Sequence, residues 1–208
     1  MKNIVILISG RGSNMQAIVN AGIPDVRIAA VLSNSATAAG LAWAAGRGIP
    51  TDSLNHKDFA SRSAFDQAMM EKIDAYQPDL VVLAGFMRIL TPEFCTRYEG
   101  RLMNIHPSIL PSFTGLHTHE RALAAGCRVA GCTIHFVTSE LDCGPIISQG
   151  VVPIFDNDTA DDIAARVLKV EHRLFPQAVA DFAAGRLKIE GNRVINSRNQ
   201  PEDRPLLA

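Results

Sequence analysis

The residues best suited to chemistry lie in one stretch, MNIHPSILPSFTGLHTHE, at positions 103–120. Asn104 and His106 stand two apart at the end of an apolar run, and in a strand that spacing turns both side chains to the same face of a sheet. An amide donor beside an imidazole suits acyl-type chemistry. The amide can stabilise a developing oxyanion, and the imidazole can move protons near neutral pH. A turn-forming asparagine beside a hydrogen-bonded loop histidine uses the same residue types, so the pair alone leaves both readings open. Asp142, in the turn TSELDCGP, offers a carboxylate that would favour the imidazolium if it lay near His106. Aspartate is also an ordinary turn residue. The loop that follows His106 is long for a compact domain. Such loops are usually functional or disordered, and this one is too apolar for disorder.

A second candidate is SGRGSN at residues 9–14, where a first strand gives way to a helix. Glycines at such a junction let backbone N–H groups approach an anion at the helix N-terminus. A dinucleotide fingerprint needs a further glycine where Met15 stands, and an acid after the second strand where the chain has Ser33 and Asn34. A Walker loop needs Gly-Lys-Ser/Thr, which is absent. A small phosphate cradle, with Arg11 as an added charge, and a tight turn without ligand both remain. His117 and His119 invite a metal reading, with His135 as a neighbour in space. No third ligand falls at a recognisable metal spacing, and a structural role is favoured. There is no nucleophile elbow, and no cysteine has an evident histidine partner, which disfavours covalent acyl chemistry.

Elements that alternate between strand and helix must position these residues. Strands are expected over residues 3–9, 26–32, 51–54, 80–83 and 102–105, the first reading as a continuous apolar run buried on both faces. Helices are expected from a cap at Ser13 or Asn14, over 37–47, 61–76, 92–98 and 120–125, and from a capping box at Thr159 and Asp162. In the 61–76 helix Phe65, Met69, Ile73 and Tyr76 form one apolar face. In the last helix Pro176 is expected to kink or restart the chain, and Gly185 to end it. Residues 132–137 and 146–153 read as paired strands, and the tail from about 197 as loose. This is a doubly wound α/β order: a mostly parallel sheet with helices on both faces and a more mixed C-terminal part.

Composition narrows the function classes. The 208 residues are 47% hydrophobic and 20% charged, enough for one full core in a single domain. With 20 basic and 21 acidic residues the net charge is −1, so a nucleic-acid surface is not indicated. Cys95, Cys127, Cys132 and Cys143 form no C-x-x-C pair and read as reduced thiols of a cytoplasmic protein. The N-terminus runs into a glycine loop without a cleavage site, and no apolar run is long enough to span a membrane.

Taken together, SGRGSNMQAI, LAGFMRIL, NIHPSILPSFTG, LHTHERAL and ELDCGPII, in this order and spacing, resemble the phosphoribosylglycinamide formyltransferase family. These are the glycinamide ribonucleotide transformylases of purine synthesis. The resemblance runs from about Lys2 to Lys188. It implies a single formyltransferase domain over 1–208, with a phosphate-binding half at about 1–100 and a folate-binding, catalytic half at about 101–190. It implies formyl transfer from 10-formyltetrahydrofolate, as co-substrate, to the amine of glycinamide ribonucleotide, without metal. Asn104, His106 and Asp142 match the catalytic residues. Gly12, Ser13 and Asn14 match the loop that holds the ribonucleotide phosphate, and Glu171 an acid that contacts the ribonucleotide. Arg62, Met87, Arg88, Ile89, Leu90 and Asn104 match folate-contacting positions. Arg11, Cys143 and Leu168 depart from the commonest family forms. The implied partners are these small molecules, with no nucleic acid or membrane, in a monomer or homodimer. Two rival families share the catalytic set. Formyltetrahydrofolate hydrolase carries an extra N-terminal regulatory domain, and methionyl-tRNA formyltransferase a basic C-terminal one; neither is expected here. A non-catalytic nucleotide-binding module is a third reading, opposed by the intact Asn-His-Asp set.

Overall fold

The computed structural model describes residues 1–198. The chain runs β1 (Lys2–Ile8), α1 (Ser13–Asn20), β2 (Val26–Ser33), α2 (Ala39–Ala45), β3 (Thr51–Ser53), α3 (Arg62–Asp74), β4 (Leu80–Leu83) and α4 (Pro92–Arg97). It continues through β5 (Leu102–His106), α5 (Thr118–Ala124), β6 (Val129–Phe136), β7 (Ile146–Pro153), α6 (Ala160–Ala183), β8 (Leu187–Glu190) and β9 (Arg193–Asn196). All nine strands join one sheet in the order β3-β2-β1-β4-β5-β6-β7-β9-β8. Strands β1 to β5 are parallel, β6 runs against both β5 and β7, and β8 runs against β9. The architecture is the doubly wound, mostly parallel α/β sheet with a mixed C-terminal part that the sequence leads one to expect.

The apolar runs build it because both faces of the central strands are covered. Ile4, Ile6 and Ile8 of β1 face one core with Met15 and Ile18 of α1 and Ile163, Val167 and Phe175 of α6. Val5 and Leu7 face the other, with Phe65, Met69 and Ile73 of α3 and Phe94 and Tyr98 at α4. Each such large side chain, fully buried, contributes about 1.5–3 kcal/mol. The chain order turns back between β1 and β4, and in open α/β sheets the ligand crevice lies beyond the strand ends at such a switch point.

Four expectations are corrected. Helix α1 is not capped by Ser13 or Asn14: Gly12 is the cap residue, in left-handed conformation (φ 68°) and without a side-chain hydrogen bond. Helix α5 begins two residues early, at Thr118, whose hydroxyl donates to the Pro107 carbonyl. Helix α6 runs through Pro176 without interruption for 24 residues. Pro176 is buried with Phe175, Ala178 and Val179 around it, and that packing outweighs the missing backbone bond. Finally β8 and β9 form an unexpected hairpin across Gly191 (φ 60°) and Asn192. Gly185 ends α6 as expected, with φ 68°. The capping box at Thr159 and Asp162 is present. Of the tail expected from about 197, residues 199–208 lie outside the described residues.

Candidate active site

The loop after β1 and the loop after β4 meet at the switch point. Ser9 joins them: its hydroxyl donates to Asn34 Oδ1 (2.6 Å) and accepts from the Met87 N–H (2.7 Å). Between them opens a cleft of ≈ 330 Å³ lined by Ser9, Gly10, Arg11, Gly12, Ser13 and Asn14 on one side and Ala84, Gly85 and Met87 on the other. No side chain caps α1, so its first-turn N–H groups point into the cleft without a side-chain partner, at the positive end of the helix dipole. A Cβ at Gly12 would meet Met15 at 3.0 Å in a backbone conformation that L-residues rarely adopt. The Asn14 side chain is engaged elsewhere: its Nδ2 donates to Glu171 Oε2 on α6 (2.7 Å). Glu171 is buried, and burial pushes its carboxyl above the usual range, against the stabilising bond from Asn14.

On the β4 side, Met87 and Ile89 are exposed and Arg88 and Leu90 half-buried. The loop is pinned by buried Asp66 of α3, whose Oδ2 accepts from the Thr91 N–H (2.7 Å), while Thr91 Oγ1 caps α4. The Arg88 guanidinium lies 5.5 Å from the Phe65 ring. Arg62, exposed at the start of α3, lies one helical turn before Phe65.

Beyond β5 the site is made of side chains. Asn104 pairs directly opposite His135 of β6, and His106 opposite Thr133. Thr133 Oγ1 donates to the Ser108 carbonyl (2.7 Å) and accepts from the Leu110 N–H (3.0 Å), so the loop after His106 is tied to β6 as it leaves the strand. His106 is held from two sides. Its Nε2 lies 3.0 Å from the Phe113 carbonyl oxygen and its Nδ1 3.5 Å from Asp142 Oδ2. The Asp142 carboxylate is oriented by the Gly115 N–H, which donates to it at 2.9 Å. Phe113 (φ 56°), His117 (φ 56°) and Asp142 (φ 55°) are three of five non-glycine residues with left-handed backbone among those described. Such conformations cost on the order of 1 kcal/mol each and concentrate where side chains or carbonyls must be aimed. Arg121 offsets part of this, donating to the carbonyls of Thr114 (2.6 Å) and Leu116 (3.3 Å).

The structure therefore brings Asn104, His106 and Asp142 together, and separately Gly12, Ser13, Asn14 and Glu171. Nothing places Arg62 in contact with either group. His117 sits beside Glu120, with Nδ1 3.4 Å from Oε1, and no group of three His, Cys, Asp or Glu residues suited to a metal occurs among the described residues. Sequence reasoning missed Thr133 and the pairing of His135 with Asn104. The polar residues alternating within CTIHF were a signal, but the register with β5 was not readable.

Asn104, His106 and Asp142 thus gather at the end of β5, and the uncapped start of α1 lines the cleft at the switch point. The chain matches the formyl transferase family over residues 2–179 and belongs to it. Among curated relatives it is 52% identical over 193 residues to phosphoribosylglycinamide formyltransferase of Escherichia coli (strain K12), covering 91% of each chain. It is 43% identical to a segment amounting to 19% of the trifunctional purine biosynthetic protein adenosine-3 of Homo sapiens. Among solved structures, glycinamide ribonucleotide transformylase 1 from Symbiobacterium toebii superposes with a TM-score of 0.91 at 46% identity, covering 94% of each chain. Phosphoribosylglycinamide formyltransferase from Brucella melitensis does so at 0.83 and 52% identity, covering 88% of this chain and 96% of that one. No helix among the described residues is long and apolar enough to cross a membrane.

Proposed function

We propose that this protein transfers the formyl group of 10-formyltetrahydrofolate to the amine of glycinamide ribonucleotide, giving N-formylglycinamide ribonucleotide and tetrahydrofolate in purine biosynthesis. The observation that carries the reading is the convergence of Asn104, His106 and Asp142 at the end of β5, together with the uncapped start of α1. The ribonucleotide phosphate lies against the N–H groups that follow Gly12, with Ser13 and Asn14 in the first turn, and Glu171 contacts the same substrate. The folate lies along Met87, Arg88, Ile89 and Leu90, with Arg62 at its outer end, so that the formyl group reaches Asn104. One domain does this work: phosphate handling belongs mainly to about 1–100 and catalysis to about 101–190.

The neutral amine attacks the formyl carbon, and the formyl oxygen takes up negative charge. Asn104 donates to that oxygen. Both nitrogens of His106 face acceptors, a carbonyl and a carboxylate. When Nε2 leaves the Phe113 carbonyl it can donate to the oxyanion. The proton lost by the attacking nitrogen passes to the folate leaving nitrogen, through His106 or an ordered water, and the bond from carbon to that nitrogen breaks. Holding both substrates in register supplies much of the rate. The test is tetrahydrofolate release from 10-formyltetrahydrofolate with and without glycinamide ribonucleotide. Release that depends on the ribonucleotide, with formylated ribonucleotide as product, is expected. Equal release in its absence would make the protein a hydrolase, and no release in either case would leave only a binding module.

A further inference from the structure

His135 is buried, with 1% of its surface exposed, and stands directly across the β5–β6 pair from Asn104. Its Nδ1 lies 2.9 Å from the Phe136 carbonyl oxygen, and its Nε2 3.3 Å from Asn104 Nδ2. A carbonyl oxygen can only accept, so Nδ1 carries a proton. Burial pushes the ring below the ordinary histidine range; the hydrogen bond to the Phe136 carbonyl and the Asp142 charge oppose that shift without overcoming it, His106 adds to it, and the ring is neutral at physiological pH. A neutral ring with its proton on Nδ1 has a bare lone pair on Nε2. Of the two ends of the Asn104 amide, only the NH₂ end can meet that lone pair, since Oδ1 would set acceptor against acceptor.

We propose that His135 is a positioning residue that fixes which way the Asn104 amide points: one Nδ2 hydrogen goes to His135 Nε2, and the second is left for the formyl oxygen. The inference rests on the reading of Asn104 as the oxyanion donor. Without a partner the amide could turn over about its last torsion and offer Oδ1, an acceptor, to an oxygen gaining negative charge. The anchor of the ring is itself fixed. The Phe136 N–H donates to the Pro145 carbonyl (2.9 Å), and a Cβ on Gly144 would lie 1.8 Å from the Phe136 carbonyl oxygen that receives Nδ1–H. The turn that presents Asp142 to His106 is thus the turn that closes on the acceptor of His135. The strand also changes register against β7 between Ile134 and His135, an irregularity of the kind that re-aims side chains beside active sites.

The test compares His135→Asn and His135→Gln, alone and with Asn104→Ala, by kcat and by KM for both substrates. Asparagine keeps a donor near the Phe136 carbonyl but does not reach Asn104, whereas the glutamine amide oxygen reaches the place of Nε2. His135→Asn is expected to lower kcat about tenfold, the worth of one neutral hydrogen bond, with both KM values nearly unchanged. His135→Gln should recover most of that loss. In the Asn104→Ala background His135→Asn should cost nothing more. Wild-type kcat in His135→Asn, a better rate in His135→Asn than in His135→Gln, or a full additional loss on top of Asn104→Ala would overturn the proposal. If Asn104→Ala itself kept its kcat, the oxyanion assignment would fail first and take this inference with it. A measurement on the unaltered protein stands beside these: ring ¹⁵N shifts of His135 at neutral pH should report a neutral ring protonated on Nδ1. A charged ring, or a proton on Nε2, overturns the proposal without any variant.

Discussion

The two candidate groups beyond the strand ends are built differently. On the β1 side the candidate ligand groups are backbone N–H donors at the start of α1, shaped by Gly12 and by the absence of a cap. On the β5 side they are side chains, Asn104, His106 and Asp142, aimed by register and by left-handed residues in two loops. A backbone site offers fixed partial charges that cannot titrate, which suits holding a phosphate. A side-chain site offers groups that exchange protons or reorient, which suits chemistry. The contrast teaches that the first should tolerate side-chain changes but not a change of backbone, and the second the reverse.

The largest effect should follow from emptying the side-chain site. His106→Ala should lower kcat about 10²–10⁴-fold if the ring handles both protons and charge. Asn104→Ala should lower it about 10²–10³-fold. Steady-state rates on folded variants check both, and a near-normal kcat in either removes that residue from the mechanism. Next comes Asp142→Asn. The amide oxygen can still accept from the Gly115 N–H, so the turn keeps its shape while the charge beside His106 is lost. A fall in kcat of about tenfold or more is expected, the difference between a charge-assisted and a neutral contact. On the backbone side, Gly12→Val introduces a Cβ against Met15 at φ 68°. It should raise KM for the ribonucleotide far more than KM for the folate, and a matched rise would make the loop merely structural.

The smallest effects concern pH and stability. Burial holds the Glu171 carboxyl above its ordinary range, so the favourable protonated form is lost as pH rises through the folded value. Glu171→Gln should therefore gain Tm relative to the parent at pH 8 compared with pH 4, while ribonucleotide binding weakens. His119, His135 and His172 are shifted the other way by burial. The stability they contribute as neutral rings is present above about pH 6.5 and lost as pH falls through their lowered folded values. Thermal melts across pH 4–8 read both trends.

The same contrast governs what could be read from the chain. The parallel core was legible because strands buried on both faces are written as continuous apolar runs, and Phe65, Met69 and Ile73 as a helical face. Asn104 and His106 were legible through period two. What stayed hidden depends on three-dimensional partners. Pro176 reads as a break, but its helix is held by packing against the sheet. Ser13 and Asn14 read as caps, but Asn14 is drawn to Glu171, 157 residues away in sequence. The β8–β9 hairpin carries a local signal, Gly191-Asn192 between alternating residues, but its short strands are mostly exposed and bury little apolar surface. His135 reads as a possible metal neighbour until the β5–β6 register sets it against Asn104.

The division between a holding side and a reacting side is tested most directly in His106→Ala, by measuring ribonucleotide affinity at equilibrium beside the single-turnover rate of formyl transfer. The rate should fall about 10²-fold or more while the dissociation constant stays within about threefold of the parent, because the ring acts mainly in the transition state. A dissociation constant that rose in step with the lost rate would contradict the account, and would place His106 among the groups that merely hold the substrate.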